Sequence, residues 1–424
     1  MTRWGAGEGP GHGAGERGPQ AGQDRRTSPS SSAVAGREGW HLRSITRLQR
    51  PRLLGITPLP CYRLGVSEED PDTTGWRQPA EWKHHAACWV AWPSAADLWL
   101  ENLAPAQEAF VALCRAIADT APATSRARGE PVRVLVPDDA REAEARTALT
   151  GIDARFERVP FGDIWLRDTA PIFVTRSGEV STASFAFNGW GGKYVLPHDD
   201  EVAGRVAEIS GLPARRFDWV LEGGSVEVDG EGTCLTTRQC LLNPNRNPGM
   251  DERAIEGALR GALGIDKVLW LSRGLVNDHT DGHIDTLVRF VAPGVVVCME
   301  PRGEDDPNAG VLADLLRELD GMTDVRGRRL EVVRIPSPGR VLSTEGAVMP
   351  ASYANFYIGN SSVVVPTYGA RWDDAAVAEV GRLFPGRRTV GVPARAILSG
   401  GGAFHCITQQ EPAPGGKDEH EEAS

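Results

Sequence analysis

The chain has 424 residues, 41% of them hydrophobic, and a formal net charge of -11 at pH 7, which is enough material to bury a sizeable core. No apolar run approaches the roughly 18 residues of a membrane span, and a net acidic chain repels nucleic acid, so we expect no membrane insertion and no nucleic-acid partner. Seven cysteines, an odd number without CxxC pairs, argue against a disulfide framework or a structural zinc site and favour a reducing cytoplasm.

The leader, residues 1–65, is rich in Gly, Pro, Ser and Arg and shows neither helical nor strand periodicity. This composition predicts a disordered segment. Its LLGITPLPC run is short, contains two prolines and lies far from Met1, so we do not interpret it as a secretion signal. An alternative is a start site assigned too early, with the native protein beginning near Val66. Residues 413–424 are acidic and predict a disordered tail.

Residues 75–412 alternate helical periodicity with short apolar runs, and we expect a single folded domain there. Helices are predicted at 98–119, 139–150, 199–211, 251–264, 308–320 and 373–384. Most are followed by a predicted strand, with the sequences VRVLVP, ARFERVP, KVLWLS, LEVVRIP and RTVGVPA. A Ser-Gly turn within 165–187 joins two alternating segments into a predicted hairpin. The unit of strands and one helix recurs about five times, which indicates an α/β fold with internal symmetry around a centre.

Cys406 follows three glycines in the sequence GGGAFHCITQQ, residues 400–410. Glycine permits positive φ and a close approach of the backbone to a ligand, so this turn can hold a thiol at the rim of a site. The alternative is a buried structural thiol, because free cysteine is among the most buried residue types. His405 would point to the opposite face of a regular strand, and we interpret it as structural. The same interpretation applies to the other cysteines: Cys61, Cys88, Cys114, Cys234, Cys240 and Cys298.

Three further motifs place charged groups in apolar strands or beside glycines. They contribute Asp163, Trp165 and Asp168 (DIWLRDTAP), Glu222 (LEGGSVEVDG), and His283 and Asp285 (NDHTDGHID). The last two are two residues apart, which puts them on the same face of a strand. Each motif alone has a structural interpretation, as a turn or cap residue, a loop acid or a satisfied polar pair. Together, the thiol of Cys406, the imidazole of His283 and the three carboxylates of Asp168, Glu222 and Asp285 indicate a catalytic site.

The three carboxylates restrict what this site can bind. Carboxylates beside a thiol raise its pKa and weaken it as a nucleophile, unless a cation lies among them. A guanidinium is a permanent planar cation that carboxylates bind in bidentate fashion. Bound there, it would place its central carbon near the thiol and favour the thiolate. The residues therefore predict a small cationic guanidino substrate.

These motifs resemble the guanidine-modifying enzyme superfamily, and most closely its agmatine deiminase family. The resemblance is carried, in family order, by EWKHHAACWVAWP, WLRDTAP, FNGWGGKY, LEGGSVEVDGEGTCLTT, LNPNRNP, DGHID, PASYANFYIGN and GGGAFHCITQQ. It implies that 75–412 is a catalytic domain with the fold of a five-bladed pseudo-symmetric α/β propeller, the pentein fold. In such a propeller the site lies in the central channel.

The resemblance also implies the role of each site residue. It implies that Cys406 is the nucleophile and His283 the general acid/base. It also implies that Asp168 and Asp285 bind the guanidinium, and that Glu222 orients the histidine and contacts the guanidinium. Trp165 would be the ring that packs on the substrate. The implied reaction converts agmatine to N-carbamoylputrescine and ammonia through a covalent amidino-thioether, in putrescine and polyamine biosynthesis. No metal and no organic cofactor is implied.

Family members often carry Asn and Ile where this chain has Ala403 and Phe404, and Gly where it has Ala170, which leaves loop packing and substrate fit open. One alternative is a bacterial peptidylarginine deiminase, whose substrate is an extracellular polypeptide; the lack of a convincing signal peptide argues against it. Another is a catalytically inactive propeller that serves as a binding scaffold. Such a scaffold would be expected to have lost Cys406 or His283.

Two motifs and the oligomeric state stay open at this stage. FNGWGGKY is interpreted as a lid, a channel wall or packing, and LNPNRNP as tight turns in which Arg246 is either a surface residue or a buried strut. A homo-oligomer is an open alternative to a monomer.

Overall fold

The structure, a computed structural model, describes residues 75–120 and 128–415. The predicted leader at 1–65, Cys61 and all but the first residues of the predicted tail lie outside the described residues. Within the described ranges, no helix has both the length and the apolar character needed to cross a membrane.

The described residues contain sixteen strands and eleven α-helices, numbered here in chain order. The strands are β1 (His85–Ala91), β2 (Val132–Val136), β3 (Ala154–Arg158), β4 (Ile172–Arg176), β5 (Glu179–Ala186), β6 (Ala214–Val220), β7 (Glu227–Val228), β8 (Thr233–Thr237), β9 (Lys267–Leu271), β10 (Val288–Ala292), β11 (Val295–Glu300), β12 (Glu331–Pro336), β13 (Tyr357–Ile358), β14 (Ser362–Thr367), β15 (Arg388–Pro393) and β16 (Gln409–Pro412). The helices are α1 (Ala96–Trp99), α2 (Leu103–Ala118), α3 (Asp139–Ala148), α4 (Leu166–Thr169), α5 (Gly189–Gly192), α6 (Val202–Ser210), α7 (Arg238–Leu241), α8 (Glu252–Leu263), α9 (Ala309–Leu319), α10 (Asp373–Leu383) and α11 (Arg395–Leu398).

Helix α8 shows how the sequence produces these elements. Asp251 caps its first turn by accepting a hydrogen bond from the N–H of Ala254 at 2.9 Å. Gly264 ends it with φ +68°, a left-handed conformation that favours glycine. The buried side chains recur at helical spacing and face the core: Ile255, Leu259, Ala262 and Leu263.

The strands form five sheets that share one connection pattern. In four of them, β4-β5-β6, β7-β8-β9, β10-β11-β12 and β13-β14-β15, an antiparallel pair is followed by a helix and a third strand parallel to the second. The intervening helices are α6, α8, α9 and α10, and the short helices α5 and α7 precede α6 and α8. The fifth sheet repeats the pattern in β16-β1-β2, with α2 before β2, and adds β3 as a fourth strand parallel to β2. Its antiparallel pair joins the two ends of the described chain. The predicted α/β alternation is confirmed.

Two short segments differ from the sequence prediction. Residues 166–169 form helix α4 and not a strand, so the predicted hairpin starts only at β4; its Ser177-Gly178 turn is present, with φ +50° and +86°. Residues 284–286 form a single 3-10 turn and not a strand. The N–H of Leu287 donates to the carbonyl of Ile284 at 2.9 Å and closes the turn, and Thr286 Oγ1 also donates to the carbonyl of His283 at 3.0 Å. Such brief turns depend on individual hydrogen bonds and leave no periodicity in the sequence.

The connection pattern brings five short segments into equivalent positions, each directly before the first strand of an antiparallel pair. Four of them carry the polar residues that the sequence analysis selected, and the fifth carries an asparagine. The segments are α4 before β4, residues 222–225 before β7, residues 283–286 before β10, residues 351–355 before β13 and residues 403–407 before β16.

Candidate active site

Cys406 lies in the turn of residues 404–407, and the glycines before it are required by close contacts. Gly401 adopts φ +117°. A Cβ at Gly402 would lie 2.9 Å from Cys406 Sγ, and a Cβ at Gly400 would lie 2.7 Å from the ring of Trp165. The glycines therefore let the backbone pass directly against both the thiol and the indole.

The thiol of Cys406 is 6% exposed and lies between two polar partners. It donates to Asp285 Oδ2 at 3.5 Å and accepts from Asn355 Nδ2 at 3.2 Å. Burial, together with the carboxylates of Asp285 and Asp168, raises the pKa of the thiol well above its usual value. Without a bound cation the group is therefore a thiol and not a thiolate at neutral pH.

Asp285 is fully buried and is paired behind the site with His405. His405 Nδ1 lies 2.8 Å from Asp285 Oδ2, and its Nε2 lies 2.8 Å from Glu81 Oε2. Arg289 contacts both Glu81 and Glu227, which extends the network of alternating charges. Burial acts to raise the pKa of Asp285, but the hydrogen bond and charge of His405 hold it below its usual value. Asp285 is therefore a carboxylate, and its Oδ1 makes no hydrogen bond to a described residue.

Asp168 differs from Asp285 because it has no cationic hydrogen-bond partner among the described residues. Its Oδ1 accepts from the N–H of Gly224 at 2.9 Å, and its Oδ2 accepts from Trp190 Nε1 at 2.9 Å. Burial, and next the negative charges of Asp285 and Glu222, raise the pKa of Asp168 well above its usual value. A bound cation would shift this carboxyl towards its ionised form.

His283 precedes the 3-10 turn, and its ring is buried beside Asp168. Nδ1 lies 3.7 Å from Asp168 Oδ1, and neither ring nitrogen hydrogen-bonds to a described residue. Burial lowers the pKa of His283 to about 3, against the opposing effect of Asp285. The imidazole is therefore neutral near pH 7, with one nitrogen able to accept a proton.

Glu222 is fully buried and forms an ion pair with Arg246, whose Nε donates to Oε1 at 2.9 Å. Arg246 also contacts Asp281 and donates to the carbonyl of Thr280 at 2.8 Å, which identifies it as a buried strut. Burial raises the pKa of Glu222, and Arg246 opposes the increase. Glu222 Oε2 has no partner among the described residues, and no hydrogen bond joins Glu222 to His283.

Trp165 borders the Cys406 turn from the other side. Its ring stacks on Trp99 with centroids 6.1 Å apart, and both indole N–H groups donate to the Asp163 carboxylate, at 2.8 and 2.9 Å. Asp163 therefore fixes the orientation of the two rings, and this explains its place in the DIWLRD motif.

Two of these residues, Glu222 and His283, together with the buried thiol of Cys240, offer donor types that zinc takes. Glu222, Cys240 and His283 each place a potential ligand atom within 4.8 Å of the other two. Two of them belong to the predicted catalytic set, so a metal there would compete with a substrate. The predicted absence of a metal cofactor stays a prediction.

The structure thus brings together the thiol, the imidazole and the carboxylates predicted from the sequence. Asp285 accepts from the Cys406 thiol, Asp168 lies beside His283, and a carboxylate oxygen of Glu222 lies within 4.8 Å of a His283 ring nitrogen. It adds three residues that had no predicted role in the site: Asn355 on the thiol, Trp190 on Asp168 and Arg246 on Glu222. Trp190 belongs to FNGWGGKY, so that segment forms part of the wall beside Asp168. The assumption of a regular strand at His405 is wrong, since a turn directs its ring to Asp285.

Comparison with known proteins shows what this chain is similar to. A family model described as Porphyromonas-type peptidyl-arginine deiminase matches residues 77–412. The agmatine deiminase of Ectopseudomonas mendocina (strain ymp) is 40% identical over 370 residues, which covers 82% of this chain and 98% of that protein. The solved agmatine deiminase of Enterococcus faecalis, described as catalysing its reaction, matches with a TM-score of 0.75 and 35% identity over 82% of this chain and 99% of that chain. A substrate-bound agmatine deiminase of C. jejuni matches with a TM-score of 0.72 and 25% identity over 80% of this chain and 97% of that chain.

Proposed function

We propose that this chain, which belongs to the agmatine deiminase family, hydrolyses agmatine to N-carbamoylputrescine and ammonia. The observation that carries the proposal is a buried thiol beside carboxylates that are not fully compensated by cations. Asp285 Oδ1 and Glu222 Oε2 make no hydrogen bond to a described residue, and Asp168 has only neutral donors. A guanidinium supplies the missing charge and N–H donors in a planar array.

Substrate binding activates the nucleophile in this proposal. A guanidinium held by Asp168 and Asp285 neutralises the two carboxylates that raise the pKa of Cys406. The thiolate then forms next to the electrophilic carbon, and the proton leaves towards neutral His283. Trp165, fixed by Asp163, packs against the substrate. Binding and activation are thereby coupled, so the resting thiol is protected from unspecific reactions.

The chemistry then proceeds in two displacements. The Cys406 sulfur bonds to the guanidinium carbon, His283 gives its proton to one amino group, and that group leaves as ammonia. A cationic amidino-thioether remains on the sulfur. Neutral His283 takes a proton from water, and the oxygen bonds to the same carbon. The carbon–sulfur bond breaks as the second proton of that water passes to solvent, which releases the ureido product and the thiolate. His283 then returns its proton to the sulfur. Water supplies the new oxygen, so the reaction has no redox step.

The proposal extends to the fold, the cellular compartment and the metabolic role. The five sheets with one connection pattern support a five-bladed pseudo-symmetric propeller with the site on its axis. The six described cysteines are free thiols, which fits a reducing cytoplasm. The product N-carbamoylputrescine places the enzyme in putrescine and polyamine biosynthesis.

The test measures ammonia and ureido product from agmatine, free arginine and a blocked peptidyl-arginine. We expect turnover of agmatine, lost in Cys406→Ala and retained in Cys114→Ala, a matched control in which a buried thiol of α2 is removed. Preference for peptidyl-arginine would favour the alternative deiminase. A folded wild type that releases no ammonia from any of the three, and whose Cys406 is not labelled by a haloacetamidine, would favour a binding scaffold.

A further inference from the structure

We propose that Asn355 is an additional catalytic residue, which stabilises the Cys406 thiolate by donating a hydrogen bond to its sulfur. The inference rests on the proposed function, because it assigns a partner to the nucleophile of that reaction. The motif PASYANFYIGN contributed to the sequence resemblance, but none of its residues received a role.

The amide of Asn355 is fixed in one orientation. The backbone N–H of Cys406 donates to Asn355 Oδ1 at 3.3 Å, so the oxygen faces the backbone and the NH2 group faces the sulfur, 3.2 Å away. The same NH2 group also donates to the carbonyl of Asp285 at 3.4 Å, and the N–H of His405 donates to the carbonyl of Asn355 at 3.2 Å. Asn355 is 1% exposed, so water does not compete for these contacts.

The charges around the sulfur explain why a donor is needed. Burial and two carboxylates, Asp285 and Asp168, raise the pKa of Cys406, whereas hydrogen bonds from the backbone N–H of Ala403 and from Asn355 lower it. Both donors are neutral. A lysine or arginine in this position would stabilise the thiolate too, but its charge would repel the guanidinium that has to bind in contact with the sulfur. A neutral amide avoids this conflict.

The repeated connection pattern supports the same assignment. Four of the five segments that precede an antiparallel pair supply proposed site groups: Asp168, Glu222, His283 with Asp285, and Cys406. The fifth segment, before β13, supplies Asn355, two residues ahead of the strand. Its side chain reaches the same thiol. The departure at Ala403 leaves the second donor intact, because that contact is made by the backbone.

Asn355→Asp separates the two roles of the side chain. Aspartate keeps an oxygen that can accept from the Cys406 N–H, but replaces the NH2 donor by a carboxylate oxygen. We expect kcat for agmatine to fall about 100-fold, and the pH midpoint for alkylation of Cys406 by iodoacetamide, followed by peptide mass spectrometry, to rise by about one to two pH units. Asn355→Ala removes the donor without adding charge and should give a fall of about 10- to 100-fold with a smaller rise in the midpoint.

The matched control is Asn308→Asp, another buried asparagine whose Oδ1 accepts a backbone N–H, that of Val276 at 2.8 Å. It should leave both the kcat and the alkylation midpoint unchanged. Thermal unfolding of each variant checks the fold, and Asn355→Ala serves as the test if Asn355→Asp does not fold.

Two results would overturn the proposal. One is wild-type kcat in folded Asn355→Asp and Asn355→Ala; the other is loss of kcat with an unchanged alkylation midpoint, which would mean that Asn355 only supports the turn. Failure of the proposed function gives a different result. The wild type would then not turn over agmatine, while the alkylation midpoint of Cys406 would still be higher in the Asn355 variants than in the wild type.

Discussion

Gly224→Ala would add one methyl group at the point where three site residues meet. A Cβ at Gly224 would lie 2.6 Å from His283 Nδ1, 2.9 Å from Asp168 Oδ1 and 3.2 Å from Asp285 Oδ2. Ordinary van der Waals contact begins at 3.4 Å, so the imidazole alone would have to move by about 0.8 Å. Gly224 does not have positive φ, so alanine introduces crowding and no backbone strain.

A shift of this size should affect catalysis more than folding. Misplacement of a reacting group by about 1 Å can cost about 100-fold in rate, and we expect kcat/KM for agmatine to fall about 30- to 100-fold. Overpacking of a buried site costs about 1–3 kcal/mol of unfolding free energy, so the variant should still unfold cooperatively. Steady-state ammonia release and denaturant unfolding measure the two effects separately.

Gly257→Ala in α8 is the matched control, because a Cβ there meets no atom within 4 Å. It should leave activity unchanged and raise the unfolding free energy by up to about 1 kcal/mol, since alanine is the better helix former. Wild-type kcat/KM in Gly224→Ala would refute the claim that these three side chains need their present spacing. Loss of activity in Gly224→Ala together with loss of cooperative unfolding would also refute it, because the methyl group would then have disrupted the whole fold and not only the site.

Two further predictions concern buried charge. Arg246→Gln leaves Glu222 without its cation and should lower the unfolding free energy by about 3–5 kcal/mol at pH 8. The control, Arg238→Gln, should lower it by less than about 1 kcal/mol, because the ion pair of Arg238 with Glu252 is exposed. This loss of unfolding free energy should shrink at lower pH. Without Arg246 the pKa of Glu222 in the folded protein rises further, and a raised carboxyl pKa destabilises the folded state only above the unfolded pKa of about 4.3. Denaturant unfolding at pH 5 and at pH 8 measures the difference. At pH 7.5, chloroacetamidine should alkylate Cys406 at least about 10-fold faster than neutral chloroacetamide, because only the amidine carries a cation to the carboxylates that raise the thiol pKa. The alkylation rate with chloroacetamide should rise steadily towards pH 10. Equal rates for the two reagents at pH 7.5 would contradict the coupling of binding to activation.

Periodicity predicted the regular elements well. All six predicted helices are present, and the predicted strands correspond to β2, β3, β9, β12 and β15. The segment predicted as a helix from residue 98 is divided, with α1, a 3-10 turn at Leu100–Asn102 and then α2. Leu100 and its φ of +49° mark the break, which composition alone does not reveal.

The site was predictable where it carries charge and was missed where it is neutral. Charged residues in apolar strands or beside glycines contrast with their surroundings, and that contrast indicated the imidazole and the carboxylates, while the three glycines before Cys406 indicated the thiol. Asn355 is a neutral amide between Ala354 and Phe356 and produces no such contrast. The signal that could have found it is the repeat itself: with four segments before a hairpin supplying site groups, the equivalent position of the fifth becomes a candidate.

Three carboxylates that look alike in the sequence have different electrostatic roles in the structure. Asp285 is held ionised by His405, Glu222 shares its charge with Arg246, and Asp168 receives only neutral donors. If all three had cationic partners, the site would have no need of a substrate cation; if none had, burial would protonate them and the guanidinium would lose its counter-ions. The graded compensation leaves a site whose electrostatic balance is completed by one monovalent cation. In the proposed mechanism the carboxylates that raise the thiol pKa are also the ones that bind this cation, so the substrate itself would generate the nucleophile that attacks it.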